Sequence, residues 1–223
     1  MKPFFVILVM ALILTDSTAS RGQITIGDLY RESYAQVTDY LPPYDGISES
    51  GNSQNSGAFE THPSVFWEDG HCQAHQITDI SWDGQIINIS GLLGADMGRS
   101  IPGEINVFES RSLIFVDFET DAPFVISGNL DFQGTLHESI IYVFDEGTMS
   151  PVYYSGTYPP SGGFSAVCSG IGPFKLEIIH SFEIFQSDTG GSESAMNFNI
   201  SVMPEGSVAT SNESWDSLKS LFR

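Results

Sequence analysis

The sequence has 223 residues, with 28 acidic side chains against eight basic ones and a formal net charge of −20 at pH 7. A surface with this charge repels polyanions, so nucleic acid and anionic lipid are excluded as partners. The length suits one β-sandwich or two small units, and a chain of this size can bury a sizeable core.

Residues 1–19 have the pattern of a secretory signal peptide. A lysine near the start is followed by an apolar run over residues 4–14, which is too short to span a bilayer. Small residues follow, and we expect cleavage after Ala19 or after Ser20. A retained N-terminal anchor is the alternative, and no later segment reads as a transmembrane span. The pattern predicts a secreted protein, extracellular or on the cell surface.

Residues 20–57 are predicted to be an N-terminal segment followed by a polar loop. Asp28 is placed to cap a short helix that continues to Tyr40, and the proline pair that follows would end it. Ser48–Gly57 is rich in serine, asparagine and glycine, which is typical of a loop.

Residues 58–203 alternate apolar and polar side chains over short runs, which predicts strands with one buried face. Strands are predicted within His71–Ser90, on both sides of an Asp83-Gly84 turn, and over Glu104–Glu109, Ser112–Phe118, Pro123–Phe132, Glu138–Phe144, Val152–Tyr154, Phe174–Ile184 and Met196–Val202. Gly91–Gly103 and Thr157–Gly163 are predicted as loops. The fold class is therefore all-β: a two-layer antiparallel β-sandwich, jelly-roll-like, with a short C-terminal helix.

Residues 204–223 depart from the strand pattern and are predicted to be a linker and that short helix. The helix carries an apolar side and a basic end, formed by Trp215, Leu218, Phe222, Lys219 and Arg223. It is too short to be stable alone, so it docks on something or orders on binding.

Three segments of the predicted sandwich carry a resemblance to a known kind of domain. They are Phe124–Leu130, the Tyr154–Thr157 turn and the Gly172–Ile178 strand, which follow an exported leader in this order. Over residues 72–203 this layout resembles the secreted bacterial sandwich domains found ahead of PEP-CTERM-type sorting tails. Since the function of most of those domains is unknown, the resemblance implies an exported bacterial protein and a fold rather than a chemistry.

The end of the chain departs from that class of protein. Pro204-Glu205 matches the start of its tripeptide, but no membrane-spanning segment follows. Instead, Trp215–Arg223 is similar to the endings of some exported bacterial proteins, which implies a sorting or docking tag with its own partner. A helix that packs on the sandwich is the alternative.

The two cysteines, Cys72 and Cys168, predict a disulfide, because an even pair in an exported chain favours one. The bridge would close a loop of roughly a hundred residues, worth up to ~4.7 kcal/mol on a chain-entropy argument. Two buried free thiols are the alternative.

A group of acidic residues, Asp117, Glu119 and Asp121, falls on one face of a predicted strand. Neighbours two apart along a strand lie ~6.6 Å apart. This distance falls within the carboxylate separation of inverting glycosidases, but nothing in the sequence builds a sugar cleft around the three residues. Their oxygen ligands suit calcium, the one cofactor that the sequence suggests. The outward phase of a half-buried strand explains them equally well.

Histidines surround one of the cysteines, since His71 and His75 flank Cys72 and His62 lies nearby. These residue types suit zinc, although exposed loop histidines are the default interpretation. His180 falls in phase with the apolar face of its predicted strand, which favours a core histidine.

Tyr153, Tyr154 and Tyr158 are candidates for a sugar-stacking platform, because an aromatic ring offers an apolar face and a polar edge. Packing in the core or at its rim is the alternative. No catalytic or phosphate-binding motif is present in the sequence.

Together these features predict a non-catalytic exported bacterial protein with a structural or adhesive role. A lectin-like carbohydrate-binding domain, with calcium dependence, is the alternative, and its partner would be a polysaccharide or another cell-surface component. A secreted hydrolase or lyase is a third hypothesis, which requires a cleft with converging carboxylates.

Overall fold

The computed structural model describes residues 22–40, 45–67, 70–99, 105–135, 138–156, 159–186 and 189–206. All regular secondary structure in these ranges is β-strand. The strands are β1 Ile24–Asp39, β2 Gly46–Ser53, β3 Gly57–Thr61, β4 Ser64–Trp67, β5 Gly70–Trp82, β6 Ile87–Arg99, β7 Asn106–Thr120, β8 Phe124–Gly134, β9 Glu138–Asp145, β10 Ser150–Tyr154, β11 Gly162–Cys168, β12 Gly172–Gln186 and β13 Gly190–Pro204.

The strands form two antiparallel sheets, so the prediction of an all-β sandwich is confirmed. One sheet has six strands in the order β10-β9-β12-β7-β1-β2. The other has seven, in the order β11-β8-β13-β6-β5-β3, with β4 also paired to β5. The long strands β7, β12 and β13 lie inside their sheets, and each carries several buried apolar side chains.

The inner faces of the two sheets bury two separate apolar clusters. The larger cluster includes Phe118, Phe124, Phe174, Ile178 and Ile200. The smaller cluster includes Val37, Cys72, Met97, Phe108 and Phe182. Several long strands contribute residues to both clusters, because each of these strands runs the full length of the sandwich and passes one cluster and then the other.

A buried polar belt separates the two clusters. Ser33, Ser112, His180 and Ser139 are neighbours across β1, β7, β12 and β9. The hydroxyls of Ser33 and Ser112 lie 3.0 Å apart, and the Ser139 hydroxyl lies 2.8 Å from His180 Nδ1. Gln76 reaches over from β5 and donates its side-chain amide to a backbone carbonyl of β7 at 3.3 Å. Hydrogen bonds of this kind offset the cost of burying polar groups.

Arg31 lies beside this belt and is fully buried. Its guanidinium donates to the carbonyls of Gly57, at 2.8 Å, and of Asn55. It also lies over the ring of Phe59, 4.9 Å from the centroid. Burial lowers the pKa of Arg31. The side chain therefore fastens the connection by which the chain crosses from β2 in one sheet to β3 in the other.

The predicted helix from Asp28 to Tyr40 is wrong, because this segment is part of β1. The inward positions of β1 hold Arg31, Ser33 and Ala35, which are buried without being large and apolar. Their alternation was therefore hidden from a search for hydrophobic periodicity. Asp28 lies where the pairing of β1 with β7 shifts its register.

Two predicted loops are strands as well. Most of Ser48–Gly57 lies in β2, an edge strand with polar composition. Much of Gly91–Gly103 lies in β6, which continues to Arg99. Glycines are compatible with β6 here because it is held on both sides, by β5 and by β13.

The predicted signal peptide over residues 1–19 and the predicted C-terminal helix lie outside the described residues. The helix residues concerned are Trp215, Leu218, Lys219, Phe222 and Arg223. Within the described ranges, no helix has the length and apolar character needed to cross a membrane.

The predicted disulfide is absent, since Cys72 and Cys168 are both buried free thiols. Cys72 belongs to the smaller cluster and Cys168 to the larger one. Their strands, β5 and β11, are four positions apart in one sheet. At about 4.8 Å per strand this is roughly 19 Å, whereas a bridge needs Cα atoms closer than about 7 Å.

The free thiols make a simple prediction. Burial raises the pKa of Cys72 to about 12 and that of Cys168 to about 11, so neither thiol should react with a thiol reagent in the folded protein at pH 8. Both should react once the protein is denatured, without prior reduction. A denatured, unreduced protein with no titratable thiol would instead demonstrate the bridge.

The strand phase makes a second prediction. Ile178 is fully buried, so Ile178→Asp places a charge in the larger cluster and should cost more than about 4 kcal/mol of unfolding free energy. Ile77 is 43% exposed, so Ile77→Asp is the matched control and should change stability by less than about 1 kcal/mol. Denaturant unfolding measures both, and equal effects would show that the phase of β12 is misassigned.

Candidate functional site

The solvent face of the six-stranded sheet carries a row of aromatic side chains. Tyr154, Tyr142, Glu177, Phe115 and Tyr30 are successive register partners across β10, β9, β12, β7 and β1. We call these five residues the aromatic row. All five are half-buried or exposed, because each stands at an outward position of its strand.

The rings on β9 and β10 are stacked. The centroids of Tyr142 and Tyr154 lie 4.5 Å apart with an interplanar angle of 13°, and Phe144 stacks on Tyr142 at 5.0 Å. Rings packed face on face present their edges and hydroxyls to the solvent. Tyr154 is 46% exposed and lies on the edge strand of the sheet, so the stack ends there.

The other end of the row holds Tyr30 and Phe115, whose ring centroids lie 6.3 Å apart. Lys175 Nζ lies 5.9 Å from the Phe115 centroid, within cation–π range. Glu177 stands between the two aromatic pairs, since it is the register partner of both Tyr142 and Phe115. The row thus combines apolar ring surface with a central carboxylate.

Next to the row, Lys175 joins two further carboxylates. Its Nζ lies 3.6 Å from Asp117 Oδ1 and 3.6 Å from Glu146 Oε1. Asp117 and Glu146 also line a shallow cavity of about 230 Å³ together with Glu119. One lysine therefore faces an excess of negative charge at this end of the sheet.

Partial burial raises the pKa of both Asp117 and Glu177. Lys175 opposes the rise in each case, and Arg111 also opposes it for Glu177. A carboxylate that is poorly solvated gains from new hydrogen-bond donors. These two groups are consequently suited to accept hydrogen bonds from the hydroxyls of a ligand.

The predicted calcium group of Asp117, Glu119 and Asp121 is not assembled. β7 ends before Asp121, whose side chain accepts a hydrogen bond from the backbone N–H of Gln23 at 2.7 Å. Asp117 is paired with Lys175 instead. In the described part of the chain, no group of three or more histidine, cysteine or acidic side chains is arranged to hold a metal ion.

The predicted tyrosine platform is divided between two faces. Tyr153 points inward, packs on the larger cluster and stacks on Phe164 with centroids 5.5 Å apart. Burial raises the pKa of Tyr153. Tyr154 points outward into the aromatic row, and Tyr158 lies outside the described residues.

Sequence reasoning missed most of the aromatic row. β9 has apolar side chains in both phases, so nothing in its pattern told Tyr142 from the fully buried Ile141 and Val143. Tyr30 fell in the segment read as a helix. The sequence did contain one usable signal. In β7 and β12 the buried residues alternate with outward-facing ones, and this alternation places Phe115 and Glu177 on the solvent face.

The three histidines near Cys72 lie on the other sheet, whereas His180 lies on β12. His62 and His75 are brought together, with their Nδ1 atoms 2.9 Å apart. His71 is oriented toward Asp96, with its Nε2 atom 3.4 Å from the carboxylate. His180 is a core histidine, as predicted from its phase.

No protein-family model and no curated protein match the chain. Among solved structures, the chain is similar to that of infectious bursal disease virus Gx strain, at 11% identity and a TM-score of 0.27, and to the infectious bursal disease virus VP2 subviral particle, at 12% identity and a TM-score of 0.29. These matches cover 85% of this chain and 58% and 59% of the viral chains. A likeness of this size carries no argument about function.

The electrostatics of the site make a third prediction. Lys175→Met should raise the pKa of Asp117 and of Glu177, because it removes a cation that lowers both. Arg111→Met is the matched control and should raise only the pKa of Glu177. Carboxyl ¹³C NMR titration measures both, and unchanged values in Lys175→Met would contradict the assigned contacts.

The same shifts fix the sign of the pH dependence of stability. The pKa values of Asp117 and Glu177 are higher in the folded protein than in the unfolded chain. Their contribution to the free energy of unfolding is therefore fully present below about pH 4 and is lost as the pH rises through the folded-state pKa values. The loss should be larger in Lys175→Met than in the parent protein. Denaturant unfolding between pH 3 and pH 7 measures this difference.

Proposed function

We propose that this protein is an exported, non-catalytic bacterial surface or extracellular protein that adheres to polysaccharide through the aromatic row. The observation that carries the proposal is the register of Tyr154, Tyr142, Glu177, Phe115 and Tyr30 across five neighbouring strands. Five strands at about 4.8 Å spacing make a row about 19 Å long. Such a row contacts a stretch of an extended chain rather than a single sugar ring.

The chemistry of the row suits a carbohydrate. The exposed ring edges pack against the C–H groups of a sugar, while the hydroxyls of Tyr142 and Tyr154 and the carboxylate of Glu177 pair with its hydroxyls. The protein is strongly acidic, which disfavours an acidic polysaccharide. We therefore propose a neutral polysaccharide as the ligand.

Binding is favoured over hydrolysis by the shape of the site. A glycosidase needs two carboxylates that flank the scissile bond. Asp117 is paired with Lys175, and Glu177 stands on an open sheet face. Calcium is not needed for binding in this proposal, since Asp117 already has a cation as its partner.

Other parts of the proposal rest on the sequence and on the strand connections. The signal-peptide pattern of residues 1–19 supports export, and residues 204–223 remain a predicted sorting or docking segment. The sandwich is proposed to be jelly-roll-like, because the chain crosses between the sheets repeatedly, at β2–β3, β6–β7, β7–β8, β8–β9, β10–β11, β11–β12 and β12–β13.

Binding to a panel of neutral and acidic polysaccharides tests the proposed function. We expect a saturable interaction with a neutral member, equal in calcium and in chelator. Tyr142→Ala removes the middle ring of the stack and should weaken binding about tenfold, which corresponds to about 1.4 kcal/mol. Isothermal titration calorimetry measures the affinity, and the melting temperature checks that the variant is folded.

Phe66→Ala is the matched control for the loss of an exposed aromatic ring. Phe66 is 71% exposed on β4 in the opposite sheet, so its removal should leave the affinity unchanged. Equal weakening by the two variants would place the ligand elsewhere. Absence of binding to the whole panel would leave a purely structural role as the better conclusion.

A further inference from the structure

A pair of histidines on the seven-stranded sheet is held in the geometry of a metal site. His62 lies between β3 and β4, both of which pair with β5, and His75 lies on β5. The pairing continues past the interruption, because the carbonyl of Pro63 accepts the backbone N–H of Ala74 at 3.0 Å. An irregularity of this kind in a sheet re-aims a side chain, and here it brings His62 against His75.

The hydrogen bonds of His62 fix the direction of its lone pair. Its Nε2 lies 2.9 Å from Glu60 Oε1, so this nitrogen carries the proton and donates it to the carboxylate. Its Nδ1 is then unprotonated and accepts a hydrogen bond from the Nδ1–H of His75 at 2.9 Å. When a metal binds, the neutral His75 ring carries its proton on Nε2 instead, which frees the Nδ1 lone pair. A metal-binding histidine usually donates its other ring N–H to a carboxylate or a carbonyl, as His62 does here.

The separation of the two nitrogens allows both to bind one metal ion. Two nitrogen ligands at 2.0–2.1 Å from a metal lie about 2.9–3.3 Å apart, depending on the angle between them. The His62 and His75 Nδ1 atoms, which a hydrogen bond holds 2.9 Å apart, need little movement to reach such a separation.

The surroundings of the pair are acidic. Glu60 contacts His62, while Asp96 lies close enough to His75 to act on its charge. A cavity of about 330 Å³ beside His75 is also lined by Asp96 and Glu193.

We propose that His62 and His75 bind one divalent copper ion through their Nδ1 atoms, with Glu60 as the carboxylate that orients His62. The protein supplies two ligands and water completes the coordination, so the site remains open to a further ligand from the cavity. Copper is favoured over zinc by its greater intrinsic affinity for imidazole sites. The site lies on the opposite sheet from the aromatic row and is independent of polysaccharide binding.

Titration of the untagged full chain with Cu²⁺, followed by calorimetry and by electron paramagnetic resonance, tests this proposal. We expect one equivalent to bind at micromolar concentration, with a tetragonal spectrum and splitting from two imidazole nitrogens. His62→Gln and His75→Gln should each weaken binding more than about tenfold. Glu60→Gln should weaken it roughly tenfold, while Zn²⁺ should bind less tightly than Cu²⁺.

His71→Gln is the matched control, because His71 lies nearby on β5 but is oriented toward Asp96. It should leave the Cu²⁺ affinity unchanged. Retention of full affinity in both His62→Gln and His75→Gln would overturn the proposal, as would the absence of any Cu²⁺ binding to the parent protein. In either case the two rings form a hydrogen-bonded pair and nothing more. The spectrum of the parent protein decides the question even if a variant fails to fold.

Discussion

The pairing of β7 with β12 is the constraint on which the rest of the structure depends. It runs without a register shift from Gly172 opposite Thr120 to Gln186 opposite Asn106. A slip of one residue would turn every side chain of a strand to the other face. It would expose Ile178 and bury Glu177. The same register therefore builds the core and aligns the aromatic row.

The polar belt gives the sandwich a second kind of specificity. Apolar contacts alone would tolerate several relative positions of the two sheets, whereas two hydrogen bonds between the sheets are satisfied in one: Gln76 donates to a carbonyl of β7, and the Ser112 hydroxyl donates to the carbonyl of His75. Arg31 adds the connection between the sheets at β2–β3. Both outer faces inherit this alignment, so the aromatic row and His75 are positioned by paired strands.

The sequence predicts those parts of the fold in which buried positions are apolar. β12 shows clean alternation and was predicted closely, as was the turn at Asp83-Gly84. The strand predicted over Met196–Val202 covers only part of β13, which begins at Gly190. β1 was missed because Arg31 and Ser33 occupy inward positions. The aromatic row and the contact of His62 with His75 depend on strand order and on an irregular pairing, neither of which is written in local periodicity.

The central claim is that the register of β7 with β12 aligns the aromatic row as a surface that binds polysaccharide. Its most direct test is an NMR chemical-shift map recorded while the protein is titrated with a neutral oligosaccharide. We expect the largest changes at the aromatic row, on β9, β12 and β7, with the seven-stranded sheet unaffected. Changes confined to the seven-stranded sheet, or side-chain contacts that place Glu177 in the core, would contradict it.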